Sequence, residues 1–398
     1  MATDNNNKVL NVPNLRFPEF TEVWKDSNIG KCFDLYSGNT PSRMEKKHFI
    51  GDVNWITSGE LKEHYIGDTK ERISEKAAED NNLRILPVGT FVMAIYGLEA
   101  EGVRGTCSIT VKTSTISQAC MAFTPKSNVS NEFLYSWYKK HGNKIGIRYA
   151  QGTKQQNLSY DIIEKFPIRY PSIEEQEKLN TFISLLDKRI ATQNKIIEDL
   201  KKLKVAIIEK VFSEKKCNYK IGDVISQVSI RNKSKKETNI LSVSNKWGFV
   251  EQSEQFEDRI VASEDITNYK VVRTNDFAYN PARINVGSIA RLKRYESGIV
   301  SPMYICFHSQ NALLPEYLEL FFYTLYFKHE MYKRLEGSVR LCLSFEGLTN
   351  IPIFIPEITT QREISIKVNS IETKIGIEET YLNALKDQKQ YLLKRMFI

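Results

Sequence analysis

Residues 152–176 read GTKQQNLSYDIIEKFPIRYPSIEEQ, and residues 337–361 read GSVRLCLSFEGLTNIPIFIPEITTQ, the same pattern again 185 positions later. Gly152, Leu158, Ser159, Pro167, Ile168, Pro171, Ile173 and Gln176 recur without a gap as Gly337, Leu343, Ser344, Pro352, Ile353, Pro356, Ile358 and Gln361. Self-similarity at a fixed spacing marks one unit used twice. Fainter echoes lie upstream. Phe91 in LPVGTFVMA answers to Phe277 in VRTNDFAYN, residues 105–123 to residues 287–307, and Ile29-Gly30 to Ile221-Gly222, with the spacing drifting between 182 and 192. Loops of unequal length on a shared scaffold produce that drift.

Each copy therefore has a variable globular part, about residues 15–170 and 217–355, and a more faithful tail. Short β-branched and aromatic runs between turn residues read as strands: FVMAIYG, CSITVKT and FPIRYP in the first copy, DFAYNP, SIARLKRYE and MYICFHS in the second. EFLYSWYKK and PEYLELFFYTLYFKHEMYKR read as helices, so each globular part is expected to be a mixed α/β domain.

The tails read as long helices. Ser172 with Glu175 forms a capping-box pattern just after Pro171, and Thr360 with Glu363 offers a second one. From there to Phe212 and Phe397 no proline intervenes, and Gly376 is the single weak point. Each helix spans about 38 residues, roughly 57 Å at 1.5 Å per residue. Leu179, Ile183, Leu186, Ile190, Gln193, Ile197, Leu200, Lys204, Ile207 and Val211 keep a strict 4-3 spacing, repeated by Ile364, Val368, Ile371, Ile375, Glu378, Leu382, Leu385, Lys389, Leu392 and Met396. A narrow seven-residue stripe of that length predicts a coiled-coil seam, whereas a helix lying on its own domain needs a wider apolar face.

The chain's 398 residues exceed one compact core, and 41% hydrophobic with 11% aromatic content suffices for ordinary cores. A net charge of +8 suits a polyanionic partner without requiring one. The six cysteines form no C-x-x-C pair and sit beside no histidine at zinc-ligand spacing, which fits reduced thiols. No apolar run approaches a membrane span, and MATDNNNKVLNVP is no secretory signal, so a cytoplasmic location is expected.

Two α/β domains, each followed by a long helix, resemble the specificity subunits of type I restriction–modification systems. GDVNWITSGEL at 51–61, with Trp55 and Gly59, looks like a segment found early in their target-recognition domains, and residues 152–176 resemble their domain-to-helix junction. The second copy lacks the W-I-T-S-G segment and has Thr360 where the first has Glu175. The resemblance implies a first target-recognition domain over 1–170 with 1–14 flexible, a central helix over 171–216, a second recognition domain over 217–355 and a C-terminal helix over 356–398. It also implies an antiparallel coiled coil between the domains and an internal pseudo-twofold repeat. Each domain would read half of a bipartite site in double-stranded DNA. The helices would dock two modification subunits, and restriction (translocase) subunits would join them. S-adenosylmethionine, ATP and magnesium would belong to those partners, and no cofactor to this chain. The alternative is a stand-alone DNA-binding regulator or architectural protein, or the specificity subunit of another restriction type; copurification with a methyltransferase-like subunit separates the two.

Catalytic motifs are incomplete. Asn280-Pro281-Ala282-Arg283 is similar to the N-P-P-Y/F motif of amino-methyltransferases, but Arg283 stands where a stacking aromatic is needed. Asp52 with Glu60-Leu61-Lys62 is spaced loosely like a nuclease metal cluster, and the second copy has no counterpart. Candidate DNA contacts are side chains able to neutralise phosphates or pair with base edges. In the first copy these are Ser42, Arg43, Lys46, Lys47, Tyr96, Arg104, Lys154, Gln155 and Gln156. In the second they are Arg231, Lys233, Lys235, Lys236, Arg283, Arg291, Arg294 and Arg340. RNKSKK at 231–236 is the densest basic run and KKHGNKIGIR at 139–148 its rival. For any one of these residues a solvated surface charge is the plain alternative.

Because the first copy resumes near Glu22 where the second ends, the C-terminus is expected beside the first domain, with the long helices antiparallel. Matching the polar seam residues then sets Lys204 against Glu378 and Gln193 against Lys389.

Overall fold

The computed structural model describes residues 11–152, 156–213, 216–252, 265–310, 312–337 and 340–398. It divides into two compact units, Met1–Asn194 with Tyr381–Ile398, and Lys195–Thr380.

In the first unit a five-stranded sheet runs in the order Phe33–Ser37, Cys120–Pro125, Phe91–Ala94, Cys107–Thr110, Tyr65–Ile66. A three-stranded sheet sets Val53–Ile56 between Arg72–Ile73 and, in parallel, Ser114–Ile116. The second unit repeats the plan. Its first sheet orders Ile225–Val228, Ile305–Ser309, Phe277–Tyr279 and Ile289–Arg291, and its other sheet pairs Ile240–Ser244 in parallel with Ser297–Val300. Register agrees as well as order: Phe91 lies opposite Phe123 and Phe277 opposite Phe307, with ring centroids 5.1 and 5.2 Å apart. Helix Asn131–Tyr149 buries Phe133, Leu134 and Tyr138 in the first core. The expected helical stretch in the second unit is two helices, Pro315–Phe322 and Leu325–Tyr332, broken where the buried Thr324 hydroxyl donates to Phe321 O and accepts from Phe327 N–H.

The junction motif repeats bond for bond inside each unit. Strand Lys25–Asn28 pairs antiparallel with Pro167–Tyr170, as Tyr219–Lys220 does with Pro352–Ile353. Ile29 N–H donates to Phe166 O and Ile221 N–H to Ile351 O, both at 2.9 Å. Gly30 and Gly222 permit this approach, since a Cβ would stand 3.0 Å from Glu164 and 2.8 Å from Thr349 respectively. Gln176 and Gln361 are 1% and 0% exposed. The Gln176 carboxamide accepts from Ser130 N–H and donates to Asn128 O and Pro171 O. Gln361 accepts from Leu314 N–H and donates to Ala312 O and Pro356 O. Each glutamine bolts the start of a long helix to the loop ahead of a domain helix.

The long helices are Ile173–Ser213 and Ile358–Met396. The first begins as the capping pattern suggests, with Glu175 N–H donating to Ser172 Oγ at 3.4 Å. Its acid partner acts otherwise: the Glu175 carboxylate is gripped by Arg16 at 2.8 and 2.7 Å and approached by Trp24 Nε1. The second helix starts two residues before Thr360, so the Thr360–Glu363 cap does not form. Residues expected within the flexible lead are partly held: Trp24 N–H donates to Asn11 O, and Pro13 is buried.

Leu392, Leu393, Met396 and Phe397 lie in the first unit's core with Leu179 and Ile183, and Ile398 packs on the same cluster as Phe17. Leu15 N–H donates to Arg395 O. The end of the chain thus completes the first unit. Phe212, 185 positions before Phe397, occupies the matching place in the second unit, with Tyr317 and Phe321 at 4.9 and 5.3 Å. Within each unit the two helices run antiparallel, but the polar register differs from the expected one. Lys204 bonds Glu372 and Lys389 bonds Asp187, each at 2.5 Å. Asp187 and Glu372 flank the seam, where a carboxylate keeps part of its hydration, and a lysine stem reaches sideways to them at lower desolvation cost than a seam pairing demands.

Candidate nucleic-acid interface

Two rims of sequence-expected residues form at matching places, the C-terminal ends of strands Phe91–Ala94 and Phe277–Tyr279. In the first unit Leu158 N–H donates to Ile95 O, and in the second Leu343 N–H donates to Pro281 O, tying each junction loop to the end of its strand. Tyr96 projects from the first rim, exposed. Arg104 donates to Gln156 Oε1 at 2.7 Å, and Gln156 N–H donates to Glu99 at 2.7 Å. The Arg104 stem lies where a Cβ on Gly146 would be, 2.5 Å from its Cγ, so the bare glycine makes its seat. Lys154 and Gln155 lie outside the described residues.

The second rim lines a cleft of about 660 Å³ whose walls include Asn280, Arg283, Arg340, Gln252, Asn285 and Tyr304. Asn280 is buried and its side-chain Oδ1 accepts from Ala282 N–H, fixing the turn that carries Arg283 outward. Arg283 and Arg340 are both exposed. Arg283 and Arg340 thus line one cleft, whereas Arg104 and Gln156 are bonded to each other.

The remaining candidates sit elsewhere. Ser42, Arg43, Lys46 and Lys47 precede the small sheet of the first unit and are exposed. Arg43 is partly committed: it forks onto Glu71 at 2.5 and 2.9 Å and lies over Phe49 and Trp55 at 4.5 and 5.4 Å. In the second unit the basic run is a built turn. Buried Asn232 donates to Glu237 O and accepts from Glu237 N–H, bracketing Lys233, Lys235 and Lys236, which face solvent. Arg231 beside it donates to Asn268 at 2.7 Å. Arg294 is exposed over Tyr295. Arg291 has a different occupation from the one expected: its side chain is 10% exposed and bonds Glu316, Glu319 and Asn275. Its charge is neutralised inside the fold.

The catalytic look-alikes also have structural roles. Glu60 accepts from Thr57 and from Lys70 N–H, closing a capping box, while Asp52 is exposed on a loop. Trp55 of the W-I-T-S-G segment is buried among Ile73, Ala77, Ala78 and Leu83. Burial pushes the Cys107, Cys120 and Cys306 thiols up to about 12, the opposite of what a nucleophile needs. Among the described residues no three His, Cys, Asp or Glu side chains gather to hold a metal, and no helix is long and apolar enough to cross a membrane.

Sequence reading missed the charged cluster joining the first globular part to both helix segments of its unit. His64 stacks between Tyr65 and Tyr135 at 4.1 and 3.8 Å, with Nε2 2.9 Å from Glu132 and Nδ1 3.7 Å from Asp187, which in turn holds Lys389. Burial works against the imidazolium, but bonds to Asp187 and Glu132 raise its pKa above the ordinary value. Glu132, His64 and Asp187 come from three separated stretches, so no local pattern announces them.

Residues 21–202 match the family model described as the type I restriction modification DNA specificity domain. That match spans just under half of the chain. Over 201 residues it is 29% identical to the type I restriction enzyme MjaIX specificity subunit of Methanocaldococcus jannaschii, and 22% identical to the MjaVIII specificity subunit of the same organism. Each match covers 50% of this chain and 45% or 44% of the relative, so the chain spans about half the length of the curated relatives it matches. Likeness to solved structures runs nearly end to end. The S subunit of a type I restriction-modification system from M. genitalium is matched over 97% of this chain and 99% of that one, at 15% identity and a TM-score of 0.57. A chain from a structure of type I R-M complex assembly and conformational transition is matched over 94% and 97%, at 15% identity and a TM-score of 0.58. At that identity the likeness establishes the fold: a mixed α/β architecture shared with S subunits.

Proposed function

We propose that this chain is the DNA-specificity subunit of a type I restriction–modification enzyme and that each unit reads one half of a bipartite duplex site. The observation that carries the reading is a duplicated scaffold with unlike rims. The same loop-to-strand bond ties each junction loop to its strand end, beside the bonded pair Arg104 and Gln156 in one unit and a cleft lined by Arg283 and Arg340 in the other. Arginine and glutamine present paired donors and acceptors suited to base edges in the major groove. Different side chains on equal frames recognise different half-sites, set about a helical turn apart.

In this reading the long helices form an antiparallel coiled coil that fixes the spacing, and the chain is a pseudo-twofold repeat. Support comes from the equivalent pairs Lys204–Glu372 and Lys389–Asp187 and from the equivalent plugs Phe212 and Phe397. The helices dock two modification subunits, and restriction subunits join for cleavage, in the cytoplasm. Chemistry belongs to those partners, which bind S-adenosylmethionine, ATP and magnesium. Coexpressed with its methyltransferase subunits, the chain is expected to direct methylation of one bipartite motif. Purified alone with the same cofactors it is expected neither to methylate nor to cut DNA. Activity of the isolated chain that disappears on changing Asp52 or Asn280 would overturn the assignment.

A further inference from the structure

The protein has four tryptophans. Trp24, Trp55 and Trp137 are 2%, 1% and 5% exposed, whereas Trp247 is 71% exposed. It stands at the tip of the hairpin formed by Ile240–Ser244 and Gly248–Glu251 in the second unit. Hairpin tips are normally polar, and a large ring left in water forfeits the burial that stabilises the others. This tip is also pinned. Ser244 Oγ accepts from Lys246 N–H and Trp247 N–H, Gly248 takes the left-handed φ of +67° that closes such loops, and Ser288 Oγ anchors the strand by donating to Val243 O. A rigid turn that holds an indole outward presents a preformed contact.

Its surroundings indicate what covers it. Trp247 lines a cleft of about 620 Å³ with Lys246, Arg291, Lys293 and Arg294, against the carboxylates of Glu319 and Glu372. Glu319 is occupied by Arg291 and Lys293, and Lys246 Nζ lies 4.6 Å from the indole centroid. Lysine and arginine beside an exposed aromatic suit a polyanion whose phosphates pair with the cations while its sugars and groove edges pack on the ring. Protein–protein interface cores, by contrast, are depleted of lysine.

We propose that Trp247, with Lys246 and Arg294 on the flanking phosphates, packs against the DNA duplex when the second unit engages its half-site. The proposal rests on the DNA-reading function above and adds a contact outside the Arg283–Arg340 rim. Because the other three indoles are buried, Trp247 dominates acrylamide quenching of the full chain's fluorescence, and Trp247→Phe removes that quenchable component. On titration with a random-sequence duplex, the indole is expected to become protected. Trp247→Ala is expected to weaken binding about tenfold through the lost burial of the ring, and Trp247→Phe is expected to retain most of the affinity. Binding of the duplex with Trp247 still fully quenchable, or unchanged affinity in Trp247→Ala, would overturn the proposal and leave the DNA-reading function standing. Protection that arises only on adding a methyltransferase subunit would make this a protein interface and overturn it too. No salt-dependent binding of the duplex at all would overturn both.

Discussion

Replacing Gln176 with leucine tests the joint between globular part and long helix. The side chain is buried, and its carboxamide answers one N–H and two carbonyls: Ser130 N–H at 3.0 Å, Asn128 O at 2.8 Å and Pro171 O at 3.1 Å. Leucine is close in size but leaves all three groups without a partner. At about 1 kcal/mol for each lost bond, with more where the stranded group stays dry, the cost is about 3 kcal/mol. For a unit of this size that corresponds to a fall in Tm of roughly 6–12 °C. Gln176→Glu should be worse at neutral pH despite its shape, because a carboxylate oxygen would then face the Asn128 and Pro171 carbonyls. Scanning calorimetry measures the loss, and hydrogen exchange locates it: the Ser130 amide should exchange faster in the first variant, and the Leu314 amide in the equivalent Gln361→Leu. If both leucine variants melt within a degree or so of the parent and both amides stay protected, the glutamines are not what bolts the helices to the domains.

His64 gives a pH signature. Its folded-state pKa is raised, so the stability it contributes is complete below the unfolded value near 6.5 and fades as pH rises through the folded one. His64→Gln should flatten melting-temperature profiles in that window; an unchanged profile would show that the cluster with Glu132 and Asp187 carries no linkage. In the second unit, Arg283→Ala or Arg340→Ala should each cost about 1–3 kcal/mol on the cognate site and relax selectivity at one half only, read from binding to a panel of single-base variants. Lys236→Ala, by contrast, should weaken all sequences alike and lower the salt slope by about 1, measured by fluorescence anisotropy against salt.

Repetition made the architecture readable. Residues recurring at one spacing, such as Pro167 with Pro352 and Gln176 with Gln361, had to serve one geometry twice, and a stripe spaced 4-3 could only be a long helix. Polar partners were less readable because they join distant stretches. Arg16 reaches Glu175, which the local pattern assigned to a cap, and Lys204 and Lys389 find flanking carboxylates that lie off the seam. Among site residues, arginine type alone could not separate Arg291, neutralised by Glu316 and Glu319, from Arg283, which is exposed on the cleft. Trp247 escaped notice because tryptophan is usually core, and only its place at a hairpin tip separates it from Trp55.

Whether two separate readers share one scaffold is decided by exchanging residues 15–170 for the matching domain of a relative. Single-molecule sequencing of methylated DNA from cells that carry the exchanged chain and its methyltransferase subunits reports the motif. One half-site is expected to change while the other half and the spacing between them stay as they were. A motif altered in both halves, or methylation that no longer depends on this chain, would contradict the two-reader arrangement.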